Sequence, residues 1–222
     1  MKLSSRPRRP SKLSDSLHHQ LNMYALAASA VGIGSLALSQ VSQAKVVYTP
    51  ADEQVSGKLD IDLNHDGIPD FMIASWGGCG STECWFDLDA QGLSPNNGIA
   101  YKLDQSFRPA LALGKGGVID SRRKFVGPAT MFASWAGSTH RKYVGYWGNV
   151  TNRYLGLEFQ INGETHYGWA RFNVKRNGTV AVLTGYAYET IPNKGIIAGK
   201  TKGPDVITVP PGSLGQLALG RK

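Results

Sequence analysis

Arg153-Tyr-Leu-Gly-Leu-Glu-Phe-Gln-Ile161, Glu164-Thr-His-Tyr-Gly-Trp-Ala-Arg-Phe-Asn-Val-Lys-Arg176 and Thr179-Val-Ala-Val-Leu-Thr-Gly-Tyr-Ala-Tyr-Glu-Thr190 are apolar-alternating runs joined by Asn162-Gly163 and Asn177-Gly178. Asn-Gly supplies the two positive-φ residues of a type I′ turn, whose twist suits a two-residue hairpin. The stretch therefore predicts a three-stranded antiparallel meander over 153–161, 164–176 and 179–190. Two-residue loops place Ile161 opposite Glu164, Phe159 opposite His166, Leu157 opposite Gly168 and Leu155 opposite Ala170. One face then collects Leu155, Leu157, Phe159, Ile161, Phe172, Val174, Ala181 and Leu183, which is a core face. The other collects Glu158, Gln160 and Arg171 with Tyr167, Trp169, Tyr186 and Tyr188, setting Trp169 opposite Tyr186 and Tyr167 opposite Tyr188. Such cross-strand aromatic pairs stabilise a sheet. The aromatic face has two readings. Strands apolar on both sides are usually covered on both sides, here by residues 89–130 or a second sheet. Alternatively, Tyr167, Trp169, Tyr186 and Tyr188 form a flat ligand platform for a sugar or peptide.

Working outward, residues 45–49, 58–62, 71–76, 84–88, 99–103, 130–135 and 142–147 read as further short strands. Residues 89–130, rich in Gly, Pro, Asn and Ser, read as long loops, and 201–222, with Pro204, Pro210 and Pro211, as an extended, poorly anchored tail. The expected architecture is all-β: an antiparallel β-sandwich with long loops over 45–200, closed by the C-terminal meander. All five tryptophans and eight of nine tyrosines fall after residue 44, in a stretch long enough to bury a proper core.

Residues 1–44 read as a signal peptide with an apolar helix. Lys2, Arg6, Arg8, Arg9 and Lys12 precede an apolar run from Met23 to Leu38, and Ser42-Gln43-Ala44 is a small-x-small cleavage step. The run is short for a membrane span, so none is expected after cleavage. The signal holds five basic residues and one acidic residue, leaving 19 against 15, a formal charge of +4 instead of the +8 of the whole chain. Nucleic-acid binding therefore gains no support. A secreted, periplasmic or cell-surface location is expected. In an oxidising compartment Cys79 and Cys84, with four residues between them, read as a disulfide closing a small loop.

That loop is expected to lie beside a second feature, Asp62-Leu-Asn-His-Asp-Gly-Ile-Pro-Asp70. Its spacing is that of an EF-hand-type calcium loop. Asp62, Asn64, Asp66 and Asp70 offer side-chain oxygens, Ile68 a backbone carbonyl, and Gly67 the sharp turn. His65 occupies a non-ligand position and is expected to point outward. Position 12 is Ile73, not an acid, and the flanks are strand-like, so a helix-loop-helix is not expected. The loop resembles the calcium loops of FG-GAP/VCBS-type β-proteins, which repeat the unit that this chain carries once. Tyr24-Ala-Leu-Ala-Ala28, Lys45-Val-Val-Tyr-Thr-Pro50, Leu63-Asn-His-Asp-Gly67, His166-Tyr-Gly-Trp-Ala-Arg171 and Leu183-Thr-Gly-Tyr-Ala-Tyr-Glu189 together resemble a group of exported bacterial proteins. That group has no established activity, so the resemblance implies export and architecture alone. Calcium (Ca2+) is the expected cofactor, in a structural role.

Catalytic motifs are missing. There is no Gly-x-Ser-x-Gly elbow, no His-Glu-x-x-His, and no phosphate-binding glycine pattern. His166 falls on the core face near a strand end, where it reads as structural. Glu158 has no obvious second carboxylate, since the pairing above puts Glu189 on the other face. The expectation is a secreted, calcium-stabilised, non-catalytic binding or surface-interaction protein, with a glycan or cell-surface component as partner. The alternative is a secreted hydrolase acting on polysaccharide.

Overall fold

The computed structural model describes residues 45–209 apart from 105–106, 177 and 204. The signal peptide and the segment after 209 lie outside the described residues. Fourteen strands run through the described residues: β1 (Val46–Gln54), β2 (Lys58–Ile61), β3 (Phe71–Cys79), β4 (Glu83–Gly92), β5 (Gly98–Ala100), β6 (Val118–Ile119), β7 (Phe125–Val126), β8 (Pro128–Gly137), β9 (Arg141–Gly145), β10 (Val150–Ile161), β11 (Glu164–Lys175), β12 (Val180–Glu189), β13 (Ile196–Ile197) and β14 (Val206–Thr208). No helix occurs among them.

Two large sheets stack as a β-sandwich. One has the order β14-β1-β12-β11-β10-β5-β7, the other β2-β3-β4-β8-β9. Between them lies the main core: Phe71, Ile73, Leu88 and Met131 from the five-stranded sheet, and Leu155, Leu157, Phe159, Phe172 and Leu183 from the seven-stranded one. A small β6–β13 ribbon lies apart from both sheets. The pairs are antiparallel apart from β14, which adds to β1 in parallel, with Val46 N donating to Asp205 O and Val209 N to Tyr48 O. The start of the tail is thus anchored, correcting the expectation of a loose end. Its backbone covers the otherwise open edge of β1. The described residues belong to one compact unit.

The meander forms, and its first hairpin has the expected register throughout, from Ile161 opposite Glu164 to Leu155 opposite Ala170. The second hairpin begins as expected, with Lys175 opposite Val180 and Phe172 opposite Leu183, and then slips. Arg171 pairs with Gly185, Trp169 with Ala187 and Gly168 with Tyr188. A β-bulge at Thr184-Gly185 accounts for the change, since one extra residue turns every later side chain to the opposite face. Gly185 has φ +144, and a Cβ there would meet the Tyr48 ring at 2.9 Å. Arg171 clasps the bulge, donating from Nε to Thr184 Oγ1 (2.7 Å) and from Nη2 to the Thr184 carbonyl (2.6 Å). Gly185→Ala is expected to lower stability by about 1–3 kcal/mol through backbone strain and this clash. A urea midpoint equal to that of the unmodified protein would show that the bulge does not depend on glycine.

The expected single face of Tyr167, Trp169, Tyr186 and Tyr188 is therefore split. Tyr167 and Trp169 point away from the main core, while Tyr186 and Tyr188 turn toward it. Tyr167 and Trp169 are buried in a second cluster with Tyr154, Ile119, Ile196 and Ala198, and Phe125 packs at its edge. Ile119 and Phe125 come from the stretch read as loops, so burial under residues 89–130 is the outcome.

Candidate functional site

The acidic loop joins β2 to β3 at one end of the five-stranded sheet. Ile61 pairs with Phe71 across its base, and Leu63, wholly buried, pins it to the core against Gly168. The alternating acids are turned onto the loop's own backbone. Asp62 accepts from His65 N (2.7 Å) and Gly67 N (2.8 Å), and Asp66 accepts from Ile68 N (2.8 Å) and Asn64 Nδ2 (2.9 Å). Asp70, at the buried end, accepts from Leu63 N (2.8 Å). Burial pushes its carboxyl up to about 6, and the charges of Asp62 and Asp66 add to the rise. Ile68 is exposed, and Gly67 takes φ +88 at the turn.

Among the described residues, no group of three or more His, Cys, Asp or Glu side chains is gathered to hold a metal ion. Nor does any lysine or arginine among them form an ion pair with Asp62, Asp66 or Asp70. His65 does not point outward. Its Nε2 lies 2.7 Å from Thr49 Oγ1, its ring packs 5.8 Å from Tyr186, and burial lowers its pKa. The bulge explains this, because it turns Tyr186 and Tyr188 to the side on which the loop sits. Asp62 raises the pKa of both tyrosines, after burial, which dominates and takes Tyr186 to about 12.

The disulfide forms between Cys79 and Cys84, directly opposite each other at the tip of the β3–β4 hairpin (S–S 2.02 Å). It does not pin the acidic loop. The two lie at opposite ends of β3, about 25 Å apart at the usual rise per residue. What the disulfide adjoins is a feature the meander-centred reading missed. Trp76 on β3, Trp85 on β4 and Trp135 on β8 all lie on the outer face of the five-stranded sheet, with exposures of 54 %, 37 % and 37 %. The other two tryptophans, Trp147 and Trp169, are both 0 % exposed.

Register builds this face. Trp85 stands opposite Gly78 on one side and Trp135 on the other, and Trp135 opposite Lys142. The Trp85 ring lies across Gly78, within 3.6 Å of where a Cβ would be. It meets Trp76 edge-on, with centroids 5.1 Å apart. Trp76 Nε1 donates to Asp89 Oδ2 (3.1 Å). Asp87 shares the face, its carboxyl raised by burial and by Asp89. A groove of about 600 Å³ continues from Trp76 and Asp89 past Gln91 and Thr130 to Phe107 and Arg108. The legible signal was the run Trp85-Phe-Asp-Leu-Asp-Ala90, in which a tryptophan falls in phase with two aspartates and out of phase with Phe86, Leu88 and Ala90.

Glu158 and Glu189 do not form a catalytic pair. The bulge brings Glu189 to the side of Glu158, correcting the expected placement, but Tyr167 stands in the strand between them. Glu189 is buried, accepts from Ile191 N (3.2 Å) and pairs with Lys194 (3.4 Å). His166 is buried, with Nδ1 2.9 Å from the Glu189 carbonyl.

Comparison of the chain with protein-family models, curated proteins and solved structures finds no match. Among the described residues no helix is long and apolar enough to cross a membrane.

Proposed function

We propose that this chain is an exported, calcium-stabilised β-sandwich that acts as a non-catalytic binding module, with the outer face of its five-stranded sheet as the ligand surface. The observation that carries the reading is the side-by-side exposure of Trp76, Trp85 and Trp135 in a protein that buries its other tryptophans completely. A contiguous exposed aromatic patch marks an interaction site. Covering about 100 Å² of one indole contributes about 2–3 kcal/mol.

Binding is favoured over hydrolysis by the carboxylates. Glycoside hydrolysis needs two of them flanking the scissile bond. Asp87 and Asp89 sit two residues apart on one strand, and Glu158 and Glu189 are separated by Tyr167. Calcium is supported by the donor set: three carboxylates and an amide within nine residues, all hard oxygen donors and, among the described residues, without an ion-paired lysine or arginine. Asp62, Asn64, Asp66 and Asp70 would hold the ion, with the Ile68 carbonyl, locking the β2–β3 connection. The Tyr167, Trp169, Tyr186, Tyr188 set plays no part in binding in this reading.

The test is co-sedimentation with isolated bacterial envelope. Trp76→Ala combined with Trp135→Ala is expected to abolish retention while costing less stability than truncation of the wholly buried Trp169, because both side chains are partly exposed. Undiminished retention of the double variant would remove the face from the account.

A further inference from the structure

Resting on that binding reading, we infer that the tryptophan face takes a neutral polysaccharide chain, lying across β3, β4 and β8 and running on toward Arg108. Trp76, Trp85 and Trp135 occupy three successive strands, a span of about 10 Å at the usual strand spacing. Consecutive pyranose rings, whose flat C–H faces stack on indoles, cover such a span. The Trp85 ring lies across Gly78, so its other side is presented outward.

The polar groups among the rings suit hydroxyls. Asp87 and Asp89 accept, Lys142 and Arg108 donate, and Gln91 and Thr130 do both. A sugar hydroxyl also both donates and accepts, so one uncharged chain can satisfy all of them. With Asp104 in the neighbouring groove three acids face two bases, so the path carries no excess of positive charge to attract a polyanion. A second groove, of about 550 Å³, runs along Trp135, Lys142 and Phe107, and Phe107 also lines the groove that begins at Trp76. The two grooves thus adjoin at Phe107, and such shallow, neighbouring grooves fit an extended polymer better than a small enclosed ligand.

Other occupants fit less well. An extended peptide adds to a sheet edge through its backbone, whereas β4 and the Trp135 end of β8 are already paired on both sides. A second copy related by a two-fold axis through β4 would bring Asp87 and Asp89 against the same carboxylates in a desolvated contact.

The experiment titrates the full chain, in millimolar calcium, with a soluble β-glucan, a xyloglucan, a galactomannan and, as the polyanion, heparin. Tryptophan emission and affinity electrophoresis are the readouts. At least one neutral polysaccharide is expected to shift the emission and retard the protein. Trp85→Ala should weaken that binding about tenfold or more, and Trp85→Phe should restore most of it. No response to any neutral polysaccharide overturns the inference, as does a response equal in Trp85→Ala, a response to heparin alone, or sedimentation showing a dimer that Trp85→Ala dissociates. The two readings fail separately. If envelope retention still depends on Trp76 and Trp135 while no polysaccharide binds, the glycan assignment falls and the binding module stands. If neither depends on the face, both fall.

Discussion

Trp169→Ala should lower the unfolding free energy by about 3–5 kcal/mol, the range for truncating a large aromatic in a packed core. For a domain of this size the corresponding fall in melting temperature is about 10 °C. Trp169 is 0 % exposed, 5.2 Å and nearly perpendicular to the Tyr154 ring, and 5.8 Å from Tyr48. Its removal opens a void beneath the β6–β13 ribbon in a layer too small to collapse around it. The indole Nε1 has no hydrogen-bond partner among the described residues. Trp169→Phe therefore removes an unpaired buried donor while keeping a ring, and should cost less than about 1.5 kcal/mol. Chemical denaturation of the three proteins separates these cases. Were Trp169 part of an exposed ligand platform, Trp169→Ala would leave stability unchanged and alter binding instead.

The contrast between Trp169 and Trp85 defines what the sequence makes legible. The 153–175 hairpin could be read residue by residue, because alternation and an Asn-Gly turn are both local signals. Cys79 and Cys84 could likewise be read as partners, since a tight turn between two strands brings them opposite each other. The faces of Tyr186 and Tyr188 could not be read from alternation, because a bulge adds one residue without disturbing composition. Gly185 inside a strand was the local hint, being the residue type that admits such a kink. Trp85 and Trp169 both stand on outward faces of strands, and the stacking of further segments decides which is covered. Val118–Ile119 and Ile196–Ile197 cover Trp169 through pairing between segments nearly eighty residues apart, which no window of sequence reports. The acidic loop was legible as a spacing, and the structure adds that Leu63 and Asp70 tie it to the core while Asp62 and Asp66 face solvent-side amides.

Removing calcium should have the second large effect, and one that acts on the whole fold. An ion bound only by the folded chain stabilises it by mass action, by about 2.7 kcal/mol when free calcium is 100 times the dissociation constant. The loop closes the β2–β3 connection and carries Leu63 into the main core, so its loosening is felt by both sheets. Without the ion, three carboxylates share a nine-residue loop with no ion-paired lysine or arginine among the described residues, and their repulsion opposes its closure. The most direct measurement is thermal unfolding of the full chain in EDTA and in millimolar calcium, repeated with Asp66→Ala. The account predicts a rise of about 5–10 °C with calcium for the unmodified protein and none for Asp66→Ala. Equal melting temperatures with and without calcium in the unmodified protein would contradict it.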